Sequence, residues 1–212
     1  MTIVLCPGIH DTKLTQCFIE DLNDTLGHSW VFPTDRYPAY SAVHLFQWLR
    51  DRANVFPMSP LTDSATRPSL RYPSLTFISF SAGSVAAIGA ALAWQQCGGN
   101  VKALIAMDGW GVPLWGNFPI YRISHDYTTH WSSACLGSGS DSFYADPAVS
   151  HLDLWRSPQS ALGWWIHPSH LSNNPLHSLI RSCPLTSHAA PHPVQTFTTA
   201  ANFIATLIER HS

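Results

Sequence analysis

The chain has 212 residues, 45% hydrophobic and only 11% charged, with 11 Lys and Arg against 13 Asp and Glu. That length suits one globular domain, and a net charge of −2 argues against nucleic acid or an anionic membrane as the main partner, because both demand a basic surplus. No apolar run approaches the ~18 residues of a membrane span. Five cysteines, odd in number and without a CxxC pair, argue against structural zinc and a disulfide framework.

The sequence begins on an apolar strand, TIVLCPG, with no charged leader or cleavage site ahead of it, so a cytoplasmic location is expected. Asp11 or Thr12 is placed to cap a helix whose Leu14, Cys17, Phe18, Leu22 and Leu26 share one face, with Gly27 as its stop. WVFPT (30–34) reads as a short strand, and a second helix begins at Ser41 with Ala42, Leu45, Phe46 and Leu49 as its buried stripe. Residues 55–74, rich in proline and serine, read as a long loop. LTFISF (75–80) is apolar throughout, as a central parallel strand should be, and the helix after it (82–97) is apolar on nearly every side. VKALIAM (101–107) and PIYRIS (119–124) are further strands. Periodicity is poor from 125 to 195, and an amphipathic helix over 196–210 closes the chain. Alternating strands and helices predict a single α/β domain over 1–212, a three-layer α/β/α sandwich with a mainly parallel sheet; 55–74 and 156–195 are expected as long loops or a partial lid. In such a sheet, ligands collect beyond the carboxyl ends of the strands.

At one such end the chain reads SFSAG, with small residues Ser79 and Gly83 flanking Ser81 by two positions on each side. A serine on a tight turn between a buried strand and a buried helix projects its hydroxyl from the sheet edge, and the close strand–helix approach requires small flanking residues. The alternative is that Ser79, Ser81, Gly83 and Ser84 merely allow close packing. The motif resembles the nucleophile elbow of the α/β-hydrolase superfamily, usually Gly-x-Ser-x-Gly, with serine at the first small position here. FPIYRISHDYTTHWSS and SHLDLW are also similar to the last part of fungal-type lipases and cutinases.

The resemblance implies a Ser, then Asp, then His order. It favours Asp126, just past the PIYRIS strand, as the acid; Asp108, in MDGW, is the alternative acid or a turn residue. His151 is the implied base, with His125 and His130 as nearby rivals and His188 as the alternative farther on. The amide of Ala82 and that of Ile9, after Pro7-Gly8, are the implied oxyanion donors. Together these imply a serine hydrolase that cleaves a carboxyl ester or thioester with an apolar acyl group and needs no cofactor. Peripheral lipid contact is compatible with the tryptophans at 110, 115, 131 and 155, although core packing is expected for most of them. Twelve histidines invite a metal, but the proline inside HPSH (167–170) disfavours a helix presenting both imidazoles, and no metal site is expected. Two other classes stay open: a binding or scaffold protein on a hydrolase-like fold without turnover, and a cofactor-free lyase or perhydrolase.

Overall fold

A computed structural model describes residues 1–53, 72–137, 139–167 and 194–212. The expected lid segment at 55–74 lies almost wholly outside them, as do His188 and most of 156–195. Eight strands form one mixed, mostly parallel sheet: β1 (Thr2–Cys6), β2 (Trp30–Val31), β3 (Leu75–Phe80), β4 (Val101–Met107), β5 (Ile120–Ser124), β6 (Ser142–Ala145), β7 (Leu162–His167) and β8 (Val194–Thr199). They lie in the order β2-β1-β3-β4-β5-β6-β7-β8; pairing is parallel through β6 and antiparallel for β6-β7 and β7-β8.

The helices are α1 (Thr12–Asp21), a single turn α2 (Asn23–Leu26), α3 (Ala42–Arg52), α4 (Gly83–Gln96), α5 (Tyr127–Ala134), α6 (His151–Arg156) and α7 (Ala200–His211). Asp11 caps α1 by accepting from the Lys13 amide, and Ser41 caps α3 through the His44 amide. Strand alternation sends Ile3, Leu5, Ile78 and Phe80 to one core, packed against α1, α6 and α7. Val4, Cys6 and Phe77 go to a second core against α3 and α4. Among the described residues, no helix is long and apolar enough to cross a membrane.

Part of the stretch expected as loop is sheet. LGWWIH forms β7 and VQTFTT forms β8, which takes the start of the predicted last helix, so α7 begins at Ala200. The tryptophans and β-branched residues there fit a pleated surface, and Trp164 packs across the strands on Phe197, its register partner, at a ring distance of 5.0 Å.

The site depends on one junction. After Phe80 the chain reverses at Ser81, whose φ is 51°, and α4 starts at Gly83 beneath the end of β1. A β-carbon on Gly83 would lie 2.2 Å from the Cys6 carbonyl oxygen and 2.5 Å from that of Pro7. Both obstacles are backbone, so nothing there yields readily. Ser79 is fully buried and its hydroxyl meets that of Ser84 at 3.0 Å, so its polar atom is satisfied within the junction. Gly83→Ala should therefore lower stability by about 1–3 kcal/mol in urea unfolding; an unchanged midpoint would mean that the junction is looser than described.

Candidate functional site

The sheet ladder continues past the strand ends and brings the loops together. The Ser81 amide donates to the Met107 carbonyl at 2.9 Å, and the Asp108 amide to that of Ile123 at 2.7 Å. Ser81 and Asp108 thus emerge side by side at the carboxyl edge. They are also the two non-glycine residues with positive φ among the described residues, at 51° and 48°. Such a conformation costs of order 1–3 kcal/mol, and that strain typically gathers at functional sites.

Asp108 is the polar centre. Its side chain is only 1% exposed, so a carboxylate here requires donors. The His125 amide donates to Oδ1 at 2.9 Å. The Nδ1 atoms of His125 and His151 both approach Oδ2, each at 2.8 Å. With Nδ1 carrying the proton toward Asp108, the His151 ring keeps Nε2 available as an acceptor. The ring stacks on Phe80 at 4.6 Å; Phe80 stacks on Trp155, and Trp155 on Phe18. An aromatic column running into the core thus backs the imidazole.

Burial opposes ionisation of Asp108, but hydrogen bonds from His125 and His151 and the charge on His125 outweigh it and hold the carboxyl below its ordinary range. The hydrogen bond to Asp108 raises the His125 imidazole, against partial burial, and the charges of Asp108 and Asp126 add to that rise. Asp108, His125 and His151 bring three metal-capable atoms within 4.8 Å of one another. Both nitrogens lie at ordinary hydrogen-bond distance from a single carboxylate oxygen, so bridging protons account for the convergence.

A cavity of about 580 Å³ opens over this group. Its polar lining is Ser81, Asp108, His125, Thr129 and His151; its apolar lining is Ala82, Val85, Trp110 and Val112. Ser81, Asp108 and His151 therefore share one cavity, whereas Asp126 belongs elsewhere. Asp126 is the N-cap of α5, its Oδ1 accepting from the Thr129 amide at 2.6 Å and its Oδ2 standing 3.6 Å from His125 Nε2. Against the expectation that Asp126 stands beside His151, the helix start engages Asp126, and the buried strand-end carboxylate of Asp108, the alternative acid, is the one bonded to the ring. Ala82 lines the cavity at the head of α4, but Ile9 is exposed and lies outside the lining. His130 lies on α5; burial and the nearby Arg122 charge push its imidazole down to about 4.

Trp155 is fully buried, whereas Trp110 and Trp115 are each 66% exposed. Sequence reasoning missed Val85, Val112 and Thr129 as cavity lining. It also missed the double histidine contact with Asp108, whose only signal was the position of His125 just beyond the PIYRIS strand. No protein-family profile matches the chain, and no curated protein matches it.

A raised imidazole contributes stability that is fully present below its unfolded pKa, about 6.5, and is lost as pH rises through the folded value. His125→Gln should therefore cost more stability near pH 5.5, where Asp108 is ionised and His125 charged, than near pH 9. Urea midpoints of both proteins at the two pH values check this; an equal loss at both would rule out a charged His125–Asp108 pair.

Proposed function

We propose that the chain is a serine hydrolase of reduced α/β-hydrolase type, a three-layer α/β/α sandwich that cleaves carboxyl esters or thioesters with an apolar acyl group. The observation that carries this proposal is the cavity shared by Ser81, on its left-handed strand-to-helix bend, and His151, whose Nδ1 is bonded to the buried Asp108. In this mechanism His151 Nε2 takes the Ser81 hydroxyl proton as Oγ attacks the substrate carbonyl. Asp108 orients the ring and stabilises the imidazolium. The oxyanion is met by the Ala82 amide at the N-terminus of α4, with the Ile9 amide as second donor once substrate is bound. Collapse of the tetrahedral intermediate expels the alcohol or thiol, which takes the proton from His151. Water, deprotonated in turn by His151, then releases the acid and frees Ser81.

His125 is assigned a different role from His151. Its Nδ1 bonds Asp108 and its Nε2 lies near Asp126, so both nitrogens have carboxylates for neighbours. It holds Asp108 in place and offsets part of its charge.

Hydrolysis of p-nitrophenyl butyrate tests the assignment. Ser81→Ala should abolish turnover, and His151→Ala should lower kcat by about 10²–10⁴-fold. Asp108→Asn should bring a loss of similar size, whereas Asp126→Ala should cost about 1 kcal/mol of stability through the lost cap and leave most of the rate. The reverse order for the two aspartates would return the acid role to Asp126. A folded wild type that cleaves no ester would favour a binding or scaffold protein.

A further inference from the structure

Arg122 is a charged residue in the middle of the central strand β5, IYRIS. It is 4% exposed, and among the described residues no carboxylate pairs with it. Burial pulls its guanidinium down to about 10, so it is charged at neutral pH. A buried, unpaired cation is expensive unless its donors find acceptors. Those acceptors are backbone carbonyls. Nη2 donates to Val112 at 2.9 Å and to Leu136 at 3.2 Å, Nε donates to Gly137, and Nη1 approaches the Gly109 carbonyl at 3.5 Å.

The carbonyls belong to two irregular segments. One is the loop after Asp108, which carries Trp110 and Val112 into the cavity wall. The other is the turn that ends α5, where aligned peptide dipoles also favour a cation. The Leu114 amide donates to the Leu136 carbonyl at 3.2 Å, and Trp110 Nε1 donates to Ser132 on α5 at 3.0 Å, so the two segments form one unit. Irregular backbone lacks ladder partners, and one planar fork supplies the missing donors to both pieces. Lysine, a single ammonium, cannot span carbonyls on both sides.

We propose that Arg122 is a positioning residue for substrate selection, its guanidinium fixing Trp110 and Val112 as the apolar wall that receives an acyl chain longer than acetyl. The choice of acyl chain rests on the hydrolase proposal; the fixing of the wall does not.

Two readouts separate them. Amide hydrogen exchange should quicken by at least about tenfold over 109–114 and 134–137 in Arg122→Lys, while β3 and α4 keep wild-type protection. Unchanged exchange in both segments overturns the proposal. For turnover, the ratio of kcat/KM for p-nitrophenyl octanoate to that for the acetate should fall at least about fivefold, mainly through KM, in Arg122→Lys. Trp110→Ala, an exposed truncation, should reproduce that fall and covers the case in which the lysine variant does not fold. An equal loss on both esters, or an unaltered ratio in Trp110→Ala, overturns the role in selection. Faster exchange in a protein whose wild type cleaves neither ester would retain Arg122 as the anchor of this wall and remove the hydrolase proposal instead.

Discussion

The site rests on a backbone constraint at Ser81, where the chain passes from a fully buried strand into a buried helix through a left-handed residue. A serine pays for that conformation with strain, and its surroundings must hold it there. The Ser81 amide is fixed to β4, Gly83 sits beneath two carbonyls of the β1 end, and Ser79 bonds Ser84 below the bend. The last two of these contacts require small side chains at 83, 79 and 84. The composition of SFSAG is therefore a packing requirement and a means of exposing one hydroxyl at the same time. Close packing and the nucleophile proposed for Ser81 thus concern the same junction.

Asp108 supplies the electrostatic half. It follows β4 directly, at the second strained position, and is too deep to be satisfied by solvent. Two imidazoles and one amide answer its need for donors. Both rings line the cavity, but they differ in their surroundings: His125 Nε2 lies 3.6 Å from Asp126 Oδ2, while His151 is backed by Phe80. One carboxylate oxygen thereby orients both imidazoles.

Much of this was legible in the sequence because its signals are local. Apolar runs at 75–80 and 101–107 gave the strands, Asp11 and Ser41 the helix starts, and SFSAG the bend. The choice between Asp126 and Asp108 was not local. Both follow strands, and what separates them is that one begins a helix and caps it, while the other is held at a left-handed turn under two histidines. β7 and β8 were missed because LGWWIH sets three apolar residues in a row and VQTFTT is mostly polar, so neither shows a clean apolar–polar alternation. The wall formed by Val85 and Val112 depends on how a loop returns to a helix, which no periodicity encodes. Arg122 could have been noticed: a lone charge in an apolar strand must find acceptors, and the adjoining loops have carbonyls to offer.

The central claim is that the Ser81 hydroxyl is a nucleophile activated by His151. Peptide mapping by mass spectrometry after reaction with a fluorophosphonate tests it most directly. The account predicts a single adduct, on the peptide containing Ser81, formed by the wild type and strongly slowed in His151→Ala. No adduct on the folded wild type, or one on another residue that forms at the same rate without His151, would contradict it.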